Sequence, residues 1–131
     1  MHALQPHHDP DLMRWAEPLI GDIISTSYAE LKDEGREAQF LIRCQGMLWR
    51  ALLNGAGSVP LFHQEVLRAA GRLGLGESRV EEVNRQIVTE LMLVIASRHA
   101  RSPREAAQRS VQVAQAYGRL TGARALLQPQ A

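Results

Sequence analysis

Residues 61–75 read LFHQEVLRAAGRLGL, and the reading of this stretch decides the fold. Leu61, Phe62, Val66, Leu67, Ala70 and Leu73 recur at helical spacing. Gly74 and Gly76 form a stop signal after them. His63 stands near the start, and two small residues, Ala70 and Gly71, stand in the middle. Two roles fit such a helix: it carries a ligand for a metal or haem, or it closes a cavity.

The same period continues on both sides. Residues 36–57, REAQFLIRCQGMLWRALLNGAG, place Phe40, Leu41, Cys44, Met47, Leu48, Ala51 and Leu52 on one wide apolar stripe, with Gly55 and Gly57 ending it. Residues 77–100, ESRVEEVNRQIVTELMLVIASRHA, carry Val80, Val83, Ile87, Leu91, Val94 and Ile95 at the same spacing. Residues 102–127, SPREAAQRSVQVAQAYGRLTGARALL, open with Ser102 as cap, Pro103 at the first helical position and Glu105 three residues after the cap. Toward the N-terminus, Asp9 and Pro10 start a further helical pattern in which Leu12, Trp15 and Leu19 share a face. Pro18 falls inside that pattern and predicts a break, giving a short helix over 10–16 and a second over 18–33. Ile20, Ile23, Ile24, Tyr28 and Leu31 face inward on the second, and Gly35 ends it. No segment alternates with period two. The expectation is an all-α domain of about six helices over 9–127, with loose tails at 1–8 and 128–131.

Composition narrows the function classes. The chain has 131 residues, 45% of them hydrophobic, enough for one compact core. A net charge of +1 gives no global pull toward nucleic acid or an anionic membrane. Cys44 is the single cysteine, which excludes an internal disulfide and a thiolate zinc site. No apolar run approaches the ~20 residues of a bilayer span, and the N-terminus lacks the pattern of a signal peptide, so the expected location is cytoplasmic. His2, His7 and His8 lie in the N-terminal tail, where nothing fixes them as a metal site.

No catalytic residue is assigned, and an enzyme is not expected. The chain has no H-E-x-x-H, no E-x-x-H pair, no phosphate-binding glycine loop and no nucleophile with a base. The glycines of GRLGLG come after a helix rather than a strand, which argues against dinucleotide binding. A helix-turn-helix reader over 62–87 would supply Arg68, Arg72, Arg79 and Arg85, but Glu77, Glu81 and Glu82 open its second helix and repel DNA. In the last helix Ala106, Ser110, Ala114, Gly118 and Gly122 recur every four residues. Small residues at that spacing admit another helix closely, either inside the chain or across a dimer, so Ser110, Ala114, Gly118 and Gly122 are candidate dimer-interface positions.

The run from Gln45 to Leu75 resembles the globin-coupled sensor family, which is related to protoglobins. WRALLNG is similar to the family's helix ending in L-x-x-G, AGRLGL to its H-x-R-I-G-L-like segment, and IISTSYAEL to its Y-x-x-L segment. The resemblance covers most of the chain, including the two long C-terminal helices. It implies a globin-like fold, shortened between the second and third helices, because the stretch from Tyr28 to Trp49 leaves little room for the small connecting helices. It also implies that the haem-binding histidine falls at Ala70, which has no donor atom. Ser78, Arg79 and Val80 stand where the family has an aromatic pair.

On this resemblance the chain is expected to be a sensor or regulatory domain without haem. Its former haem space is expected to be lined by Tyr28, Leu48, Trp49, Leu52, Val66, Ala70, Leu73 and Ile87, and to hold at most a small apolar ligand. The signal is expected to pass through a homodimer on the last two helices or to a separate partner protein. Two alternatives stay open. One keeps haem as an oxygen or redox sensor, with His63 as axial ligand about 10 Å along the helix from Ala70. The other is a helical adaptor. If His63 does not ligate iron, it reads as a surface or capping histidine beside Pro60. His99 is expected to meet the carbonyls at its helix end.

Overall fold

The computed structural model describes residues 10–55 and 59–127. The N-terminal tail, the Asp9 cap, Gly57 and the tail 128–131 lie outside the described residues. Five α-helices succeed one another: α1 (Pro10–Ser27), α2 (Arg36–Asn54), α3 (Val59–Arg72), α4 (Glu77–Arg98) and α5 (Pro103–Leu127), with a 3-10 turn at Ala29–Glu34 between α1 and α2. The described residues contain no strand.

Two expectations about the N-terminal region are corrected. The chain does not break at Pro18; α1 runs through it. Leu12, Ala16, Ile20 and Ile24 are all buried and repeat every four residues, so the apolar face keeps its phase on both sides of the proline. Pro18 and Arg14 are exposed, which leaves the carbonyl deprived of its helical partner on the solvent side. The second correction is the helix end, which comes at Ser27 rather than near residue 33, the remainder being the 3-10 turn. Together these give five α-helices and a 3-10 turn in place of six α-helices.

The core is one cluster drawn from every helix, with Trp49, Tyr28, Leu41, Leu48, Leu52, Ile87, Leu91 and Ile95 among its largest fully buried side chains. α2 packs on α1, α3 and α5, while α4 packs on α1, α3 and α5. Two expected core residues are corrected. Leu61 is 68% exposed because it lies on the side of α3 opposite Val59, His63 and Val66. Met47 is 43% exposed, since its neighbours Gly21 and Gly46 offer no side chain to cover it.

The helix ends are closed by specific groups. Gly55 adopts the left-handed conformation at φ 71°, and its N–H reaches the carbonyls of Ala51 and Leu52. Gly74, at φ 77°, ends α3 similarly, and the Leu75 N–H donates back to the Ala70 carbonyl at 2.8 Å. Two arginines from distant helices also donate to last-turn carbonyls: Arg79 of α4 to Ser27 at 2.6 Å, and Arg119 of α5 to Leu52. These side chains satisfy acceptors that a helix end leaves open.

Candidate functional site

The residues that sequence reasoning gathers around Ala70 lie in the packed interior. Leu48, Trp49 and Leu52 come from α2, Val66 and Ala70 from α3, and Ile87 from α4, each buried. Tyr28 joins them from the junction after α1, also buried, and Leu73 is half-buried at the end of α3. None of these eight residues lines a described surface depression.

A polar relay crosses this interior. The Tyr28 hydroxyl donates to Gln45 Oε1 at 2.7 Å. Gln45 Nε2 donates to Asn84 Oδ1 at 2.9 Å and reaches the Val80 carbonyl at 3.4 Å. Trp49 Nε1 donates to the same Asn84 oxygen at 2.8 Å. The relay ties the end of α1, the middle of α2 and the first half of α4 together, with Gln45 and Asn84 buried like the apolar residues around them. Burial pushes the Tyr28 hydroxyl up to about 12, against the opposing pull of the Arg79 guanidinium 5.4 Å from its ring centroid and of the Gln45 bond. Tyr28 is therefore a neutral donor throughout the ordinary pH range. Phenol, amide and indole groups spent on one another hold α2, α4 and the junction after α1 in register and supply no proton donor or acceptor that works near neutral pH.

Sequence reasoning misses Gln45 and Asn84, yet the sequence carries a signal for both. Gln45 sits between Cys44 and Leu48 inside the apolar stripe of α2, and Asn84 sits between Val80 and Ile87 inside that of α4. A polar residue at a core phase in each of two helices is the pattern of a buried cross-helix hydrogen bond.

His63 corrects a further expectation. It is not a surface histidine beside Pro60 but is 1% exposed, on the inner face of α3. It borders a niche of about 20 Å³ shared with Glu81, Asn84, Tyr117, Leu120 and Thr121. That volume suits one water molecule. Ala70 offers no donor atom, and His63 is among the residues that line the niche. Cys44 is buried, and burial raises its thiol, which keeps it protonated. His99 does not cap carbonyls with its side chain. Its backbone N–H bonds Ile95 at 3.0 Å while its Nδ1 lies 3.1 Å from Glu105, so the side chain joins α4 to the first turn of α5. Among the described residues no group of three or more His, Cys, Asp or Glu could hold a metal ion.

The small residues of α5 face outward. Ser110 is half-buried, whereas Ala114, Gly118 and Gly122 are exposed. A Cβ added at Gly118 or Gly122 would meet nothing within 4 Å, so packing within the chain does not account for either glycine. The exposed positions of α5 from Ala107 to Gly122 include Val111, at 52% exposure, and no charged residue. No described helix is long and apolar enough to cross a membrane. No protein-family model matches the chain, and comparison with curated proteins and with solved structures finds no match either.

Proposed function

We propose that this chain is a haem-free, globin-like regulatory domain that acts through protein contact, with a homodimer on α5 as the route of its signal. The observation that carries the proposal is the outer face of α5. Between Ala107 and Gly122 its exposed positions carry no charge, and a side chain at Gly118 or Gly122 would touch nothing in its own chain. Glycine inside a helix costs up to ~1 kcal/mol relative to alanine. Two such positions in one helix call for an offsetting contact, and an uncharged face set against its own copy by a two-fold axis meets no like charge. The haem-free part is supported by Ala70, buried in packed side chains where the family places its histidine, and by the relay that occupies the neighbouring interior. Fold likeness sets the class of the proposal, while the residues of α5 set its content.

Light scattering of the purified chain, wild type and Gly118→Leu, tests this reading. The wild type is expected at twice the monomer mass. Gly118→Leu is expected at the monomer mass with undiminished helicity, because its side chain enters open space in the monomer, and with a melting temperature that no longer rises with protein concentration. A wild type that scatters as a monomer overturns the dimer.

A further inference from the structure

We infer that the groove between α1 and α2 docks an acidic amphipathic helix of a partner protein. This deepens the reading of a protein-contact domain, and it stands or falls separately from the α5 dimer, since peptide binding and subunit mass are different measurements.

A depression of about 210 Å³ lies on the α1–α2 seam, and a more open one of about 540 Å³, lined by α1 alone, adjoins it at Met13 and Glu17. The floor of the seam depression is apolar or bare: Met13, Ile20, Gly21, Gly46 and Met47. Gly21 and Gly46 lie inside helices and do not adopt positive φ. A Cβ on either would meet nothing within 4 Å. Neither turn geometry nor close packing within the chain accounts for them, although each costs helix stability. What they do is remove side chains from the seam, so that another backbone can approach it. Met47, half-exposed, and Met13 beside it are unbranched thioethers that adapt to an incoming apolar side chain.

Charge identifies the occupant. Arg43 and Arg50 border the groove and Arg14 borders the adjoining depression, with Glu17 as the acidic residue they share. Glu17 is engaged by Arg50 at 3.7 Å, whereas Arg14 and Arg43 have no ion pair among the described residues. Arg36, Arg43 and Arg50 are spaced seven apart on α2, all exposed, so they form one row beside the seam. Seven residues rise about 10.5 Å, two helical turns. A partner helix lying along α2 with carboxylates at the same heptad spacing meets Arg36 and Arg43, beyond the Arg50–Glu17 pair, while its apolar i, i+3/i+4, i+7 positions enter the floor. The chain as a whole carries only +1, so this positive row is a local feature. Glu17 inside the groove opposes a phosphate backbone, and the apolar surface that Met47 exposes there is too little for insertion into a membrane surface.

The test uses the full chain and two fluorescein-labelled synthetic helical peptides with the same leucine and methionine face, one flanked by glutamate and the other by lysine. Anisotropy titrations are run against the wild type, Gly46→Gln and Arg43→Glu, with phosphatidylglycerol vesicles and a DNA duplex as competitors. The glutamate peptide is expected to bind at least about tenfold tighter than the lysine peptide and to weaken as salt is raised. Each variant is expected to weaken it about tenfold or more. Gly46→Gln fills open space in a helix, so its melting temperature is expected to hold or rise, which separates lost binding from lost folding. Equal affinity for both peptides, no binding of the glutamate peptide, unchanged affinity in the folded variants, or displacement by vesicles or duplex each overturns the inference.

Discussion

Replacing Asn84 with leucine removes the acceptor that two buried donors share. Trp49 Nε1 and Gln45 Nε2 both end on Asn84 Oδ1, at 2.8 and 2.9 Å. Asn84 is 3% exposed, so water does not replace it freely. The indole N–H loses its partner and incurs the cost of a buried unsatisfied donor, ~1–3 kcal/mol. Gln45 Nε2 keeps the Val80 carbonyl at 3.4 Å, so its loss is nearer that of one ordinary hydrogen bond, ~0.5–1.5 kcal/mol. The sum, ~1.5–4.5 kcal/mol, is a large part of a typical folding stability of ~5–15 kcal/mol. Urea unfolding monitored by circular dichroism reads it as a lower midpoint at unchanged slope. Adding Trp49→Phe decides the cause. If the shared hydrogen bond carries the loss, the double variant is less destabilised than the sum of the single variants by ~1 kcal/mol or more. Strict additivity, or a loss below ~1 kcal/mol for Asn84→Leu, would refute the relay as a structural tie.

Three other substitutions probe neighbouring links. Ala70→Phe forces a ring into a site that is 1% exposed and packed, so the melting temperature falls in line with an overpacking cost of ~1–3 kcal/mol; a rise would reveal a cavity there. Tyr28 has its folded-state value raised to about 12 from 10.0, so the neutral phenol favours the folded state. Its contribution is intact below pH 10.0 and is lost as pH climbs toward about 12. The loss is on the order of 2–3 kcal/mol, and Tyr28→Phe should flatten that alkaline limb in stability measured by urea unfolding from about pH 9 upward. Arg79→Met removes the donor to the Ser27 carbonyl and to Glu30, so amide hydrogen exchange should rise over the 3-10 turn Ala29–Glu34 and stay unchanged in α5.

The helices are legible in the sequence because their apolar residues keep one phase. Spacing alone places Val80, Val83, Ile87, Leu91 and Ile95 inward, and all five are buried. Gly55 and Gly74 mark real ends because only a left-handed residue closes those turns cheaply. Pro18 misleads because local propensity takes no account of the phase of the face it interrupts: Leu12, Ala16, Ile20 and Ile24 hold the helix through tertiary packing. The burial of the predicted cavity residues is legible in part, Tyr28 and Trp49 included, but their pairing is not. Nothing in the spacing of Gln45 and Asn84, 39 positions apart, says that they meet; that depends on how α2 and α4 cross. His63 looks superficial because it comes soon after Pro60 near a helix start, whereas its inward side is set by the register it shares with Val59 and Val66.

A haem-free domain, as proposed, requires that no porphyrin enters the interior near Ala70. Titrating the purified chain with haemin and recording its absorbance tests this directly. No stoichiometric Soret band beyond that of free haemin is expected, for the wild type and for His63→Ala alike. A sharp one-to-one Soret band with low-spin features in the wild type, lost in His63→Ala, would contradict it.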